Sequence, residues 1–326
     1  MGQMAGFLGQ RLVKGIIVLF AIAILNFMLI RAAPGDPAMV IAGEAGAADA
    51  LFLAQLRAEF GLDKPLGTQL LIYLGDIATL DLGFSYRQQT PVAALIWDRL
   101  PATLLLTGTA FAISLLLGIL LGALAAARAG RWSDTVITLF ALVFYATPLF
   151  WIALMAILLF SVQLEWLPSF GMYTVGASGG VLDHVLDVAR HLVLPALTLG
   201  LFFTAIYCRM TRASMLEVRR MDFVKTAHAK GLMPRVIARR HVLRNALLPV
   251  VTLAGMQAGT LVGGAVLTET VFAWPGIGRL MYEALLQRDY NLLLGVFLVS
   301  STMVVAFNIA TDMLYRVVDP RIEYGR

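Results

Sequence analysis

Residues Pro101 to Ala127 read PATLLLTGTAFAISLLLGILLGALAAA and contain no charged side chain. A helix that crosses the hydrocarbon layer of a bilayer needs about 20 consecutive apolar residues. The run is apolar at almost every position, whereas a strand of a membrane barrel is apolar at every second position. The stretch therefore predicts a membrane-spanning helix.

Five further segments have the same character. They are Leu12 to Ile30, Val136 to Val162, Leu192 to Tyr207, Ala246 to Leu267 and Tyr290 to Thr311. Pro148, Pro195 and Pro249 fall within them and predict kinks or helix starts, because proline removes a backbone hydrogen bond. The sequence predicts an all-α, polytopic membrane protein with six transmembrane helices.

The composition of the 326-residue chain excludes an ordinary soluble protein. Hydrophobic residues make up 60% and charged residues 14% of the chain, against about 45–50% and about 25% in soluble domains. The mean hydropathy of +0.82 leaves too little polar surface to coat a soluble globule. The formal net charge of +5 is then a signal of membrane orientation, and nucleic acid is not an expected partner.

Residues that carry metal or thiol chemistry are few. Cys208 is the only cysteine, and the four histidines lack the close pairing and the cysteine partners of a zinc site. We expect no metal and no cofactor in this chain.

The basic residues predict the orientation. If the N-terminus is cytoplasmic, most of the 25 lysines and arginines lie on the cytoplasmic side, as the positive-inside rule requires. Both termini are therefore predicted to be cytoplasmic. The first segment resembles a signal peptide, but Pro34 directly after Ala32 and Ala33 favours an uncleaved first helix.

Two connections are too large to be turns. Residues 31–100 are predicted to form an extracytoplasmic segment between the first two spans, with helical apolar spacing in residues 50–60. Residues 209–245 form a cytoplasmic loop with ten basic residues and only two acidic ones, Glu217 and Asp222. No linker separates the parts, so residues 1–326 are predicted to form one transmembrane domain.

The cytoplasmic loop contains signals for helix starts. Ser214 and Glu217 are spaced as in a capping box, in which both side chains bind free amides of the first turn. A second start follows at Asp222.

A glycine then separates this helix from the next one. Phe223, Ala227 and Lys230 are predicted to fall along one side of the helix, and Gly231 has the backbone freedom that a helix stop requires. Pro234 fits the first position of a new helix. The pattern is helix, glycine elbow, helix.

This pattern has two interpretations. A positive-inside loop places its arginines against lipid phosphates, and charge alone favours that role. A lever that transmits force from a cytoplasmic partner needs a capped short helix on a defined elbow, and the helix-glycine-helix pattern favours this second role.

Four motifs occur in order along the chain. They are Pro34-Gly-Asp-Pro37, Phe60-Gly-Leu-Asp-Lys-Pro65, Lys225-Thr-Ala-His-Ala-Lys-Gly231 followed by Arg244-Asn-Ala-Leu-Leu-Pro249, and Glu269-Thr-Val-Phe-Ala-Trp-Pro-Gly-Ile-Gly-Arg279. Together they resemble the permeases of binding-protein-dependent ABC importers. More narrowly, the chain resembles the first permease subunit of the dipeptide and oligopeptide family. The general importer motif begins with Glu-Ala-Ala where this chain has Lys225, Thr226 and Ala227, so no salt bridge is expected from the first position.

The resemblance implies a type I ABC importer fold in a bacterial inner membrane and a non-catalytic role. The implied partners are a second homologous permease, two cytoplasmic ATPase subunits that bind ATP and magnesium, an extracytoplasmic binding protein and membrane lipid. The implied ATPase-docking residues are Asp222, Phe223, Lys225, Thr226, Ala227, Lys230 and Gly231. Short peptides are the implied solute, with glutathione and nickel chelates as alternatives.

The chain has no means of its own to hydrolyse ATP. The glycine cluster from Gly176 to Gly180 has no following Lys-Ser or Lys-Thr to hold phosphates and magnesium. Asp312 lies near the predicted cytoplasmic end of its span, where water reaches it, which disfavours proton coupling. A secondary transporter or channel, and a non-transporting scaffold, remain the rival functions.

Glycines recur every four residues in two predicted spans. They are Gly118 and Gly122 in the second span and Gly255, Gly259 and Gly263 in the fifth. Such stripes allow helices to approach closely. They serve either packing within the chain or an interface with a second permease.

Polar residues within the spans also have two interpretations. Tyr145, Gln257, Thr260 and Asn308 either line a route for a hydrated solute or bond one helix to another. The outer segment with Glu269 and Trp274 is either an aromatic anchor at the membrane interface or, by resemblance to peptide permeases, part of an outer gate.

Overall fold

The computed structural model describes residues 2–32, 53–54, 57–58, 63–176 and 179–318, with the side chains of some helical residues, 260–264 among them, outside the description. Its elements are α1 (Gly2–Ala32), α2 (Leu66–Ala78), β1 (Phe84–Ser85), β2 (Thr90–Pro91), α3 (Val92–Ala127), α4 (Trp132–Ala146), α5 (Leu149–Ala156), α6 (Val181–Val218), α7 (Asp222–Ala229), α8 (Pro234–Val236), α9 (Arg244–Val271), α10 (Ile277–Leu286) and α11 (Tyr290–Val318). Two π-helical segments, Ile157–Gln163 and Ile237–Leu243, continue α5 and α8.

Membrane-spanning helices dominate this architecture. Within the described residues, four helices are long and apolar enough to cross a bilayer, and a bent pair brings the number to five at most. The four are Gly9–Leu29 of α1, Val92–Ala127, Val181–Val218 and Tyr290–Thr311 of α11. The prediction of an all-helical, polytopic membrane protein is confirmed. The predicted fifth span falls within α9, a helix of 28 residues.

The third predicted span is not one continuous helix. The chain bends by 102° between Trp132–Ala146 and Leu149–Gln163. Thr147 is extended, with φ −83° and ψ 135°, and Pro148 precedes the first residue of α5. Proline disfavours helical geometry in the residue before it and has no amide proton to donate. The expectation of a kink or helix start at Pro148 is confirmed, and the third predicted span is a bent pair of helices.

The fourth predicted span proved too short. Helix α6 runs for 38 residues and includes Pro195, just as α9 includes Pro249. The capping box expected at Ser214 and Glu217 is wrong, because both residues lie in the last turns of α6. Ser214 is buried there against neighbouring helices, so packing extends the helix past a local start signal.

The described chain divides into two compact units. Unit 1 comprises the chain up to Pro101 and Gly276–Ala306. Its core contains Val92, Ile96, Leu280 and Leu292. The two-residue strands pair antiparallel, with Phe84 opposite Pro91.

Unit 2 comprises Ala102–Pro275 and the chain from Phe307 onward, and it contains the whole loop over residues 209–245. Its largest core cluster includes Leu106, Leu199, Tyr207, Val250 and Trp274. Helices α3, α6 and α9 supply most of this cluster.

The glycine stripe of α3 packs within the chain. A Cβ atom on Gly118 would lie 2.4 Å from Cβ of Tyr207, and one on Gly122 would lie 2.5 Å from the carbonyl oxygen of Cys208. Both neighbours belong to α6, so this pair of glycines permits the close approach of α3 and α6. In α9, the carbonyl of Gly255 accepts a hydrogen bond of 3.2 Å from the Thr311 hydroxyl.

Some predictions fall outside the described residues. They are the Pro34-Gly-Asp-Pro37 motif, the first part of the motif that ends at Pro65, and most of the helix expected over residues 50–60.

Candidate functional site

Helix α7 is the central element of the loop over residues 209–245. It begins at Asp222, as predicted, after the extended residue Met221. The Lys225 ammonium lies 2.8 Å from the Asp222 carboxylate, and the Thr226 hydroxyl donates to the Asp222 carbonyl at 3.0 Å. The negative charge of Asp222 in the first turn also suits the helix dipole.

A glycine in the left-handed backbone conformation ends this helix. Gly231 has φ +74°. Its amide donates to the His228 carbonyl at 2.9 Å, and the Leu232 amide donates to the Ala227 carbonyl at 3.3 Å. This is the Schellman arrangement, which satisfies carbonyls that the last helical turn leaves free. The predicted stop at Gly231 is confirmed, and because no atom lies within 4 Å of a Cβ built there, only the backbone angle demands glycine.

The two faces of α7 differ from the expected pattern. Val224 and Ala227 are buried, the latter with 4% exposure, whereas Phe223 is 41% exposed. Phe223, Ala227 and Lys230 have the helical spacing of one side, within an arc of about 60°. Of the three, only Ala227 belongs to the packed face, whereas Phe223 and Lys230 are exposed. The exposed set from the predicted docking residues is Asp222, Phe223, Lys225, Thr226, Lys230 and Gly231.

The buried face attaches α7 firmly to the membrane helices. Val224 and Ala227 join a cluster with Met215 and Val218 of α6 and with Ile237 of the π-helical segment. Its remaining members are Ala126, Val242 and Ala246. The buried face of α7 therefore packs directly against α3, α6 and α9.

An ion pair joins α4 to α6. The Arg212 guanidinium contacts the Asp134 carboxylate through Nε and Nη2, both at 2.7 Å, and the Gly130 amide donates to the same carboxylate at 3.0 Å. The Asp134 carboxylate is buried. Sequence reasoning missed this pair, because nothing local relates two residues 78 positions apart.

The predicted gate segment is well packed. Trp274 is fully buried, and its indole donates to the Ala102 carbonyl at 2.8 Å. The Glu269 carboxylate is also fully buried and accepts a hydrogen bond of 2.7 Å from Thr103. An aromatic-belt anchor needs a ring exposed at the membrane interface, so that interpretation of Trp274 is wrong.

The predicted pathway residues lie on three helices of unit 2. Tyr145 in α4 is 42% exposed, and its ring stacks on the ring of Phe202. The centre of the Tyr145 ring lies 5.0 Å from the central carbon of the Arg209 guanidinium. Gln257 in α9 is half-buried and Asn308 in α11 is exposed. The side chain of Thr260 lies outside the described part of the structure.

No group of three or more histidine, cysteine, aspartate or glutamate side chains within the described residues is arranged to hold a metal ion.

Comparison with known families gives this geometry its context. Residues 118–324 match the family described as the binding-protein-dependent transport system inner membrane component. Residues 4–107 match the corresponding N-terminal family. The chain belongs to this permease family. It is a non-catalytic, multi-pass component of the inner membrane, and membership implies a binding protein and an ATPase as partners.

Relatives of this permease match over nearly their whole length. The dipeptide transport system permease protein DppB of Alkalihalophilus pseudofirmus is 40% identical, with 97% of this chain and 98% of that protein covered. DppB of Escherichia coli K12 is also 40% identical, with coverage of 99% and 100%. The same values hold for the di/tripeptide transport system permease protein DppB of Pseudomonas aeruginosa.

Solved structures show the same fold at low sequence identity. An inward-facing structure of the MetNI methionine ABC transporter aligns with a TM-score of 0.56 at 20% identity, covering 70% of the permease and 97% of that chain. An amino acid ABC transporter with histidines aligns with a TM-score of 0.51 at 15% identity, covering 69% and 94%. The permease is therefore structurally similar to the membrane subunits of ABC transporters.

Proposed function

We propose that the permease forms half of the transmembrane pathway of an ATP-driven importer for short peptides. The names of the relatives support a peptide solute, since three of them are dipeptide or di/tripeptide permeases that align from end to end. Glutathione and nickel chelates are the alternative solutes that the family resemblance implies.

The observation that carries the proposal is the capped helix α7. Its exposed face, with Phe223, Lys225 and Thr226, fits a groove on an ATPase subunit, and Gly231 sets the direction in which that face points. Its buried face moves with the membrane helices. ATP binding draws two ATPases together, α7 moves with them, and the spans change the side to which the pathway opens.

We extend the proposal to the membrane topology of the permease and to the subunits that assemble with it. The chain crosses the membrane six times as a type I importer domain over residues 1–326, with both termini, α7 and the rest of 209–245 in the cytoplasm. Residues 31–100 then lie outside. A solitary half would leave its pathway open to lipid, so a second homologous permease completes it, and ATP and magnesium bind to the two ATPase subunits.

We also propose which residues line the solute pathway and its outer gate. Tyr145, Gln257, Thr260 and Asn308 line the route, and the segment with Glu269 and Trp274 shapes the outer gate. The buried Trp274 ring and the hydrogen bond between Thr103 and Glu269 support a stiff gate element.

Reconstitution tests the function directly. The permease is purified with its partner permease and ATPases, placed in proteoliposomes and supplied with binding protein and a labelled dipeptide. We expect peptide uptake that requires ATP, and ATP hydrolysis that the loaded binding protein stimulates.

Two results would contradict the proposal. Ion-driven uptake by the permease alone would make it a secondary transporter. Absence of any solute flux from the complete assembly, tested with peptides, glutathione and nickel chelates, would make it a scaffold.

A further inference from the structure

Four arginines line one recess on the helix that follows α7. They are Arg235 in α8, Arg239 and Arg240 in the π-helical segment, and Arg244 at the start of α9. With Val236 they line an open surface recess of about 550 Å³. All four side chains are exposed.

The π-helical winding brings these arginines together. In an α-helix, at about 100° per residue, the four positions would spread over about 180° of the helix circumference. A π-helix turns by only roughly 80° per residue. With seven residues in that form, the four arginines fall within an arc of roughly 90°. The recess therefore depends on this local winding, and π-helical turns occur frequently at functional sites.

The opposite side of the same helix holds it in place. Ile237 and Val242, five residues apart, are buried in the cluster that contains Val224 and Ala227 of α7. Ala246 continues this buried face into α9. The arginine face consequently points away from the docking helix.

The recess carries uncompensated positive charge. Among the residues that the structure describes, none of the four guanidiniums forms an ion pair or a side-chain hydrogen bond. Asp222, one of the loop's two acids, is already paired with Lys225. A ligand with negative charge would therefore meet no competing carboxylate from Asp222.

The position of the recess indicates where that ligand comes from. Arg244 lies two residues before the predicted span that begins at Ala246, and Leu248 is an exposed apolar residue one turn further on. A cluster of arginines directly cytoplasmic of a membrane helix is placed to meet anionic lipid headgroups. Guanidinium groups bind phosphate oxygens in a bidentate manner, and four of them match a headgroup with two phosphates.

We propose that Arg235, Arg239, Arg240 and Arg244 form a binding site for a diphosphate phospholipid headgroup of the cytoplasmic leaflet. The lipid anchors the helix that leads from α7 into the membrane, on the face away from the ATPase. The site goes beyond the proposed import function and does not depend on which solute is carried.

Neutralising arginines of the recess tests the site. The permease complex is purified in detergent, and the binding of cardiolipin and of phosphatidylethanolamine is measured by native mass spectrometry. We expect a preference for cardiolipin, with affinity falling about fivefold for Arg239→Gln and about 30-fold for Arg239→Gln with Arg240→Gln, given about 1 kcal/mol for each basic group near a lipid surface. The control Arg220→Gln removes an exposed arginine of the same loop and should not change the affinity.

The deciding variant exchanges two neighbours, Ala238→Arg with Arg239→Ala. It keeps the net charge and moves one guanidinium roughly 80° out of the recess, so cardiolipin affinity should fall about fivefold with ATPase assembly intact. Assembly with both partner subunits verifies folding.

Two outcomes would overturn the proposal. Wild-type affinity for cardiolipin in the exchange variant would show diffuse attraction by net charge. Loss of the ATPase subunits with cardiolipin binding unchanged would show that the arginines contact protein instead.

Discussion

Gly231 occupies a backbone conformation that few other residues adopt. With φ +74°, valine there is strained by roughly 1–3 kcal/mol or forces α7 to run on past its stop. We expect Gly231→Val to insert normally but to lose most of the stimulation of ATP hydrolysis by loaded binding protein. Gly231→Asn is the matched control, because asparagine tolerates this conformation and the site has room for a side chain.

The outcome also separates the two roles of the loop. Normal coupling in Gly231→Val, together with lost coupling when Arg239 and Arg240 are neutralised, would favour a purely electrostatic loop over a lever.

The pair formed by Asp134 and Arg212 holds α4 against α6. Asp134→Asn removes the charge from a buried carboxylate and leaves Arg212 without its counterion. We expect the free energy of unfolding of the purified complex to fall by about 2 kcal/mol. Removing one partner of a fully buried ion pair costs more, about 3–5 kcal/mol. The reason is that the Arg212 side chain is 32% exposed and thus partly solvated.

A double-mutant cycle measures the interaction itself. Asp134→Asn combined with Arg212→Gln should destabilise the complex by less than the sum of the single changes. Additive effects would indicate that the two side chains do not interact in the purified complex.

At the scale of elements, the contact between α3 and α6 depends on two glycines. Gly118→Ala places a methyl group 2.4 Å from Cβ of Tyr207, so the helices must separate. Overpacking of this kind costs about 1–3 kcal/mol. Gly108→Ala in the same helix meets no atom within 4 Å and should be neutral or stabilising by about 0.5–1 kcal/mol. Equal melting temperatures for the two variants would contradict this packing.

At the scale of the whole molecule, charge distribution predicts the topology. In a variant without Cys208, cysteines at Asp63 and Gly179 should react with an impermeant thiol reagent added outside intact cells. A cysteine at Lys230 should react only after the membrane is opened. Labelling of Lys230→Cys in sealed cells would contradict the proposed orientation.

Local signals in the sequence were sufficient for the membrane class and for the limits of α7. Long apolar runs identify membrane helices because burial in lipid depends on composition over a whole window. Asp222, Gly231 and Pro234 mark helix ends correctly because caps and stops involve only neighbouring residues. The four family motifs are also short local stretches, so the chain could be assigned to the family from sequence.

The tertiary structure decided what depends on distant residues. Ser214 has the spacing of a helix start but lies inside α6, because burial of the residues around it stabilises a continuous helix. Trp274 has the residue type of an interface anchor, but it is buried, and its indole donates a hydrogen bond to the carbonyl of Ala102, 172 positions away. The pairing of Asp134 with Arg212 and the gathering of four arginines by a π-helical turn have no local signature, because both arise from packing and winding that only the folded helices impose.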